Sequence, residues 1–196
     1  MLMERIIAAF TFRKKVYAEV EKDVEFTQTA WVLVAVVSLL SQIGQLPNFG
    51  FSRIGAWLIS AIITVVFSVA GFALSAFVIS WAGKQFFQAE VDFNEMVRVL
   101  GLAYVWNAIG LIGIVGFIPF LACILAPLVF VAALAGLVSW LFAAKEALDL
   151  DWVPTAITLV IGWVIGFVIT AIAGVIIGIL GVGAGVGASM LGGMGG

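Results

Sequence analysis

Few residues of this 196-residue chain can take part in bond-making chemistry. There is no histidine, which removes serine–histidine and cysteine–histidine nucleophile systems and imidazole metal sites. Cys123 is the sole cysteine and lies in an apolar stretch, so no internal disulfide can form. An intramembrane aspartyl protease needs carboxylates at membrane depth, and the apolar stretches hold none. Ser189 has no base beside it. The glycines of 181–187 lack the lysine and the strand–helix setting of a phosphate-binding loop. These residues predict a non-enzyme with no cofactor and no metal. Among polar side chains inside the apolar stretches, Ser60, Thr64 and Ser68 recur at i, i+4, and Asn107 stands in another stretch. Such groups either line a path for a small solute or hydrogen-bond one helix to another.

The elements that must position these groups follow from composition. Apolar residues make up 64% of the chain and charged residues 10%, against roughly 45–50% and roughly 25% in ordinary globular proteins. So few charges cannot keep a soluble domain dispersed, and lipid is the solvent that fits. A helix needs about 20 apolar residues to cross a hydrocarbon core of about 30 Å. Five runs meet or approach that length: 29–46, 54–82, 96–118, 120–144 and 155–180. The fold class expected is therefore an all-α polytopic membrane protein. Residues 1–28 form an amphipathic segment, 29–180 the five-span domain and 181–196 a glycine-rich tail. Spans three and four either cross fully or form a re-entrant hairpin. The N-terminus mixes charges throughout and lacks the apolar core of a signal peptide, so the chain is expected to insert through its own first spans.

With five crossings, the N-terminus and the loops after spans two and four share a side. That side holds Arg5, Arg13, Lys14, Lys15, Lys22, Lys84, Arg98 and Lys145, and the other holds Arg53 alone. Basic residues near span ends favour the cytoplasm. The N-terminus is accordingly expected in the cytoplasm and the C-terminus outside, in the plasma membrane; a re-entrant hairpin leaves that parity unchanged. Arg98, two residues inside its span, is expected to snorkel to the headgroups and to pair with Glu95 or Asp149.

Acids precede spans that start on the inner face: Asp23 and Glu25, Glu90, Asp92 and Glu95, and Asp149 and Asp151. Helix N-termini carry partial positive charge, so these positions need no ligand to explain them. Lys84 and Lys145 follow spans whose carbonyl ends lie on that face. Phe12, Val16, Val20 and Val24 recur every four residues, with charges on the other faces, predicting an amphipathic helix at the membrane surface. Arg13, Lys14 and Lys15 oppose that helix's own dipole, and lipid phosphates would offset the cost. Trp31, Trp57, Trp81, Trp140 and Trp152 lie near span ends, as an interfacial aromatic belt would. Pro127 is expected to kink the fourth span. On the fifth span Gly162, Gly166, Thr170, Gly174 and Gly178 form a small-residue ladder, suited to close packing within the chain or to a homo-oligomer face.

The order of these elements resembles the Yip domain family, five-span membrane proteins named for binding Ypt/Rab GTPases. The likeness covers roughly residues 10–180. It rests on Val16-Tyr17-Ala18-Glu19-Val20, Asp23 and Thr27-Gln28-Thr29-Ala30 at the first span. Arg98, Gly101-Leu102-Ala103-Tyr104 and Ile118-Pro119 continue it. Ala144-Lys145-Glu146-Ala147-Leu148-Asp149-Leu150 and Thr155-Ala156-Ile157 complete it, in the manner of a prokaryotic branch. The resemblance implies a cytoplasmic N-terminus, an external C-terminus and action through protein partners. Eukaryotic members carry a long cytoplasmic region before the first span, where this chain has residues 1–28.

The leading expectation is a non-enzymatic scaffold that organises membrane or recruits an unknown membrane or cytoplasmic protein. Arg13, Lys14 and Lys15 would meet lipid headgroups, and Arg98, Glu146, Asp149 and Asp151 would form a partner patch. The alternative is a small-solute transporter or channel lined by Ser60, Thr64, Ser68 and Asn107. No basic tract suggests nucleic acid.

Overall fold

Five helical stretches in the computed structural model are long and apolar enough to cross a membrane: Phe26–Gly44, Phe51–Phe87, Phe93–Phe117, Cys123–Leu148 and Trp152–Ile179. The structure describes residues 2–180, and the glycine-rich tail with Ser189 lies outside the described residues. Secondary structure among the described residues is wholly helical. Two short helices, α1 (Leu2–Phe10) and α2 (Lys14–Lys22), precede the first crossing, α3 (Phe26–Gly44). A short turn of helix, α4 (Leu46–Phe49), and a 3-10 turn at Phe51–Arg53 lead into α5 (Ile54–Phe87). The third crossing combines α6 (Phe93–Ala103) with a 3-10 segment, Tyr104–Phe117. The fourth and fifth are α7 (Pro119–Leu148) and α8 (Trp152–Ile179).

Local chemistry sets the ends. Gly50 adopts φ 70° after α4 and turns the chain back, a conformation open to glycine because it has no Cβ. Asp92 accepts from the Asn94 amide at 3.2 Å, and Glu95 accepts from the Asp92 amide at 2.6 Å, so the two acids cap α6 reciprocally. Gln88 and Asp149 end α5 and α7 in left-handed conformation, φ 58° and 50°. Pro119 opens α7, where its missing N–H costs nothing. The helix continues through Pro127. At 34 residues α5 is about 51 Å long, so it projects beyond the hydrocarbon core.

The third crossing is unusual. Runs of 3-10 helix longer than three or four residues are uncommon, yet this one has 14 residues. In such a helix residues three apart eclipse one another. Tyr104, Asn107, Gly110, Gly113 and Gly116 therefore share a column, and that column lies along α3. Ser38 Oγ meets Tyr104 Oη at 3.2 Å, and Ser41 Oγ donates to the Asn107 carbonyl at 2.6 Å. A Cβ on Gly44 would overlap the Gly110 carbonyl, one on Gly110 would sit 2.8 Å from Ser41 Oγ, and one on Gly113 would sit 2.6 Å from the Gly44 carbonyl. In α6 the same seam continues where Gly101 faces Ala30, 2.7 Å from a Cβ built there.

The second seam joins α5 to α8. Ser75 Oγ donates to the Gly162 carbonyl at 2.9 Å. A Cβ on Gly162 would overlap Ile79, and one on Gly166 would come 2.9 Å from Ser75 Oγ. A Cβ on Gly174 or Gly178 would meet no other part of the described structure within 4 Å. The ladder thus divides: its first half packs within the chain and its second half faces outward.

The row from Phe12 to Val24 is not one helix. Phe12 has φ 53° and breaks the chain between α1 and α2, while Val24 is 73% exposed. The apolar face of α2, Val16, Tyr17 and Val20, does not lie on a membrane surface. It is buried against α6 and α7. Of the expected aromatic belt, Trp31 and Trp140 instead pack edge-on to Phe72, at 5.5 and 6.3 Å between ring centroids.

Gly44→Ala should destabilise the protein by about 1–3 kcal/mol or more, because the added methyl meets backbone that cannot turn away. Gly174→Ala should change stability by less than about 0.5 kcal/mol, as substitutions away from packed features do. Thermal unfolding of the two variants in one detergent checks the contrast.

Candidate functional site

The ends of the bundle differ sharply. One carries Pro47, Phe51 and Phe117, the last two rings stacked at 5.1 Å. The other, the charged end, gathers α1, α2, the 88–92 loop and the turn after α7. There α2 is fastened by Tyr17, whose hydroxyl meets Ser139 Oγ of α7 at 2.7 Å inside the core. Burial raises the Tyr17 pKa, partly offset by that hydrogen bond.

Arg98 is not a surface residue. It is 5% exposed and lies beneath α2. Its Nε donates to the Glu21 carbonyl at 2.8 Å, Nη2 reaches the same oxygen, and Nη1 donates to Thr27 Oγ1 at 3.3 Å. The last carbonyls of a helix have no partner within it, so the guanidinium supplies what α2 lacks. A cation at that terminus is also favoured by the helix dipole. The expected pairing with Glu95 or Asp149 is therefore replaced by capping, and Arg98 drops out of an accessible patch. Position in the span alone could not show this, because the cover is a separate helix.

Glu146 is half-buried, while Asp149 and Asp151 are exposed at the turn between α7 and α8. Burial raises the Glu21 pKa above its ordinary 4.5, and the charges of Asp149, Glu95 and Glu146 raise it further, against a lowering by Lys22. Asp149, Glu95 and Glu146 therefore stand close enough to act on Glu21. Asp149 also serves as the left-handed terminator of α7. Nearby, Arg5 of α1 pairs with Asp23 at 2.7 Å; that bond holds the Asp23 carboxyl below its usual range.

Arg13, Lys14 and Lys15 are adjacent in sequence but diverge in space. Arg13 and Lys15 line a surface groove with Glu4, Arg5 and Glu19. Lys14 points elsewhere, its ammonium 5.1 Å from the Phe142 ring and 5.5 Å from the Trp152 ring. Lys145 approaches the same indole at 5.1 Å while donating to the Leu150 carbonyl at 2.9 Å. Only the tertiary fold brings Lys14 and Lys145 together, so neither spacing nor composition signals the pair.

The four groups of the solute-path reading are not gathered. Asn107 lines a cavity of about 470 Å³ with Tyr104, Trp106, Trp140, Trp163 and aliphatic residues of α7, and neither Ser60, Thr64 nor Ser68 belongs to it. Its carboxamide donates to the Tyr104 carbonyl at 3.2 Å. Ser60 is buried, and Thr64 and Ser68 are half-buried along α5. No group of histidine, cysteine and acidic residues suited to a metal ion occurs among the described residues.

Five apolar crossings and an ordered helical cover on one end define a multi-pass, all-α membrane protein. Residues 7–173 match the family model of the Yip1 domain. The chain belongs to that family. No curated protein and no solved structure matches it.

Arg98→Met should lower stability by about 1–3 kcal/mol, the cost of leaving buried acceptors unpaired, and should expose α2 to trypsin at Lys22. A raised carboxyl pKa means that the folded state is unpenalised below pH 4.5 and loses stability as pH rises through the raised value. Glu21→Gln should therefore raise the melting temperature at pH 7 and leave it unchanged at pH 4, as read by parallel thermal scans.

Proposed function

We propose that this protein is a non-enzymatic scaffold that recruits a basic protein segment through its charged end. The observation that carries the reading is the placing of Glu146, Asp149 and Asp151 at the end of α7 and in the turn after it, with Glu21 of α2 close by, on a platform otherwise fastened by hydrogen bonds. A surface that keeps like charges together, where it satisfies Arg98 and Asp92 fully, is suited to a cationic ligand. The partner patch is Glu146, Asp149 and Asp151, with Arg98 acting beneath it as a support. Arg13 and Lys15 extend from the same end toward lipid headgroups.

The concentration of basic residues on this end supports a cytoplasmic N-terminus and an external C-terminus, and the plasma membrane is the site proposed. Family membership agrees with action through partners rather than catalysis.

The combined variant Glu146→Gln, Asp149→Gly, Asp151→Asn removes the charges while glycine keeps the left-handed turn at 149. It should insert and fold normally yet lose at least about tenfold in binding to a lysine-rich peptide, as interfacial charges typically steer association. The readout is peptide binding to nanodisc-embedded protein at low and high salt. Undiminished binding would refute the patch.

A further inference from the structure

Two lysines far apart in the chain approach one indole. Lys14 Nζ lies 5.5 Å and Lys145 Nζ 5.1 Å from the Trp152 ring, with Phe142 set edge-on to Trp152 at 5.7 Å and 5.1 Å from Lys14. Attraction to the aromatic faces holds each ammonium here, and an anion beside the indole would be attracted by both. The same corner is the start of α8, a 28-residue helix whose N-cap residue is Asp151, so the positive field here comes from the two lysines and not from the helix end.

We propose that this corner is a binding site for the phosphate of an anionic phospholipid. What makes the ligand a lipid rather than a free phosphate is the surface that continues from it. Val153, Ile157, Val160 and Val164 are exposed at 70, 48, 52 and 56%, and their spacing places them on one stripe running down α8 from Trp152. A phosphate held by the lysines would have its acyl chains laid along that stripe. Trp152, itself 44% exposed, sits at the level where indoles favour the headgroup region. The site is separate from the headgroup contact proposed above for Arg13 and Lys15: Lys14, Lys145, Phe142 and Trp152 form it.

The test is retention of phosphatidylglycerol against phosphatidylcholine by the full chain, measured by native mass spectrometry after delipidation and titration. The unaltered protein should retain phosphatidylglycerol preferentially. K14Q/K145Q should reduce that preference roughly tenfold or more, since cations near an anionic surface favour binding. K14R/K145R should keep it, and R13Q/K15Q should change it little. Inorganic phosphate at millimolar levels should not displace the lipid. An unaltered protein with no preference overturns both the corner and the headgroup contact, whether or not any variant folds. Loss in R13Q/K15Q with none in K14Q/K145Q overturns the corner and leaves the contact at Arg13 and Lys15. Displacement by inorganic phosphate alone overturns the lipid as ligand.

Discussion

The close approach of α3 to the third crossing is the constraint on which the remainder depends. In lipid, apolar side chains gain little from leaving their solvent, so helices associate through backbone proximity, dispersion contacts and hydrogen bonds. The seam supplies all of these. It runs from Pro47 against Gly116, through Gly44 against Gly110 and Gly113, to Ser41 and Ser38 bonded to Asn107 and Tyr104, and on to Ala30 against Gly101. Because α6 continues directly from the 3-10 segment, the seam fixes its depth and rotation. Arg98 consequently arrives beside Thr27 of α3 and under the last turn of α2. The interaction closing the charged end is thus set by glycines near the opposite end.

That closure separates two classes of charge. Arg98, Asp92, Glu95 and the Arg5–Asp23 pair each complete a backbone group or a partner. A buried donor or acceptor left unpaired costs about 1–3 kcal/mol, so these residues are accounted for by the fold. Asp149 and Glu146 raise the cost of ionising Glu21, and Lys14 and Lys145 share one indole. These are the groups for which contacts outside the chain are proposed.

Much of this was legible in the sequence, and the limits have physical causes. The five crossings follow from the length of apolar runs, and the acids before α6 announced its cap. The seam's signal was also present: glycines at 110, 113 and 116 recur every three residues, the period of a 3-10 helix and not of an α-helix. Read as one α-helical span, that period carries no meaning. Arg98 misled because hydropathy reports depth along a span and says nothing of what lies over it. Phe12 misled because a row at every fourth residue does not reveal a left-handed residue within it. The glycine ladder on α8 packs within the chain at Gly162 and Gly166 but not at Gly174 and Gly178, since spacing identifies a narrow face but not where the neighbouring helix ends. Lys14 and Lys145 lay beyond reach, for only tertiary packing makes them neighbours.

The final turns of α7 show how both binding proposals fit on one end. Consecutive residues of an α-helix point about 100° apart. Lys145 turns toward Trp152 and the lipid-facing stripe of α8, whereas Glu146 bears on Glu21 and the cover formed by α2. One step along the helix would therefore divide the proposed seat for an anionic lipid from the proposed seat for a cationic partner. A bound lipid phosphate would neutralise the lysines without touching the acids, leaving the partner face more negative. On these proposals the two seats would be coupled in sign: occupation of the first would strengthen attraction at the second, and screening by salt would weaken both.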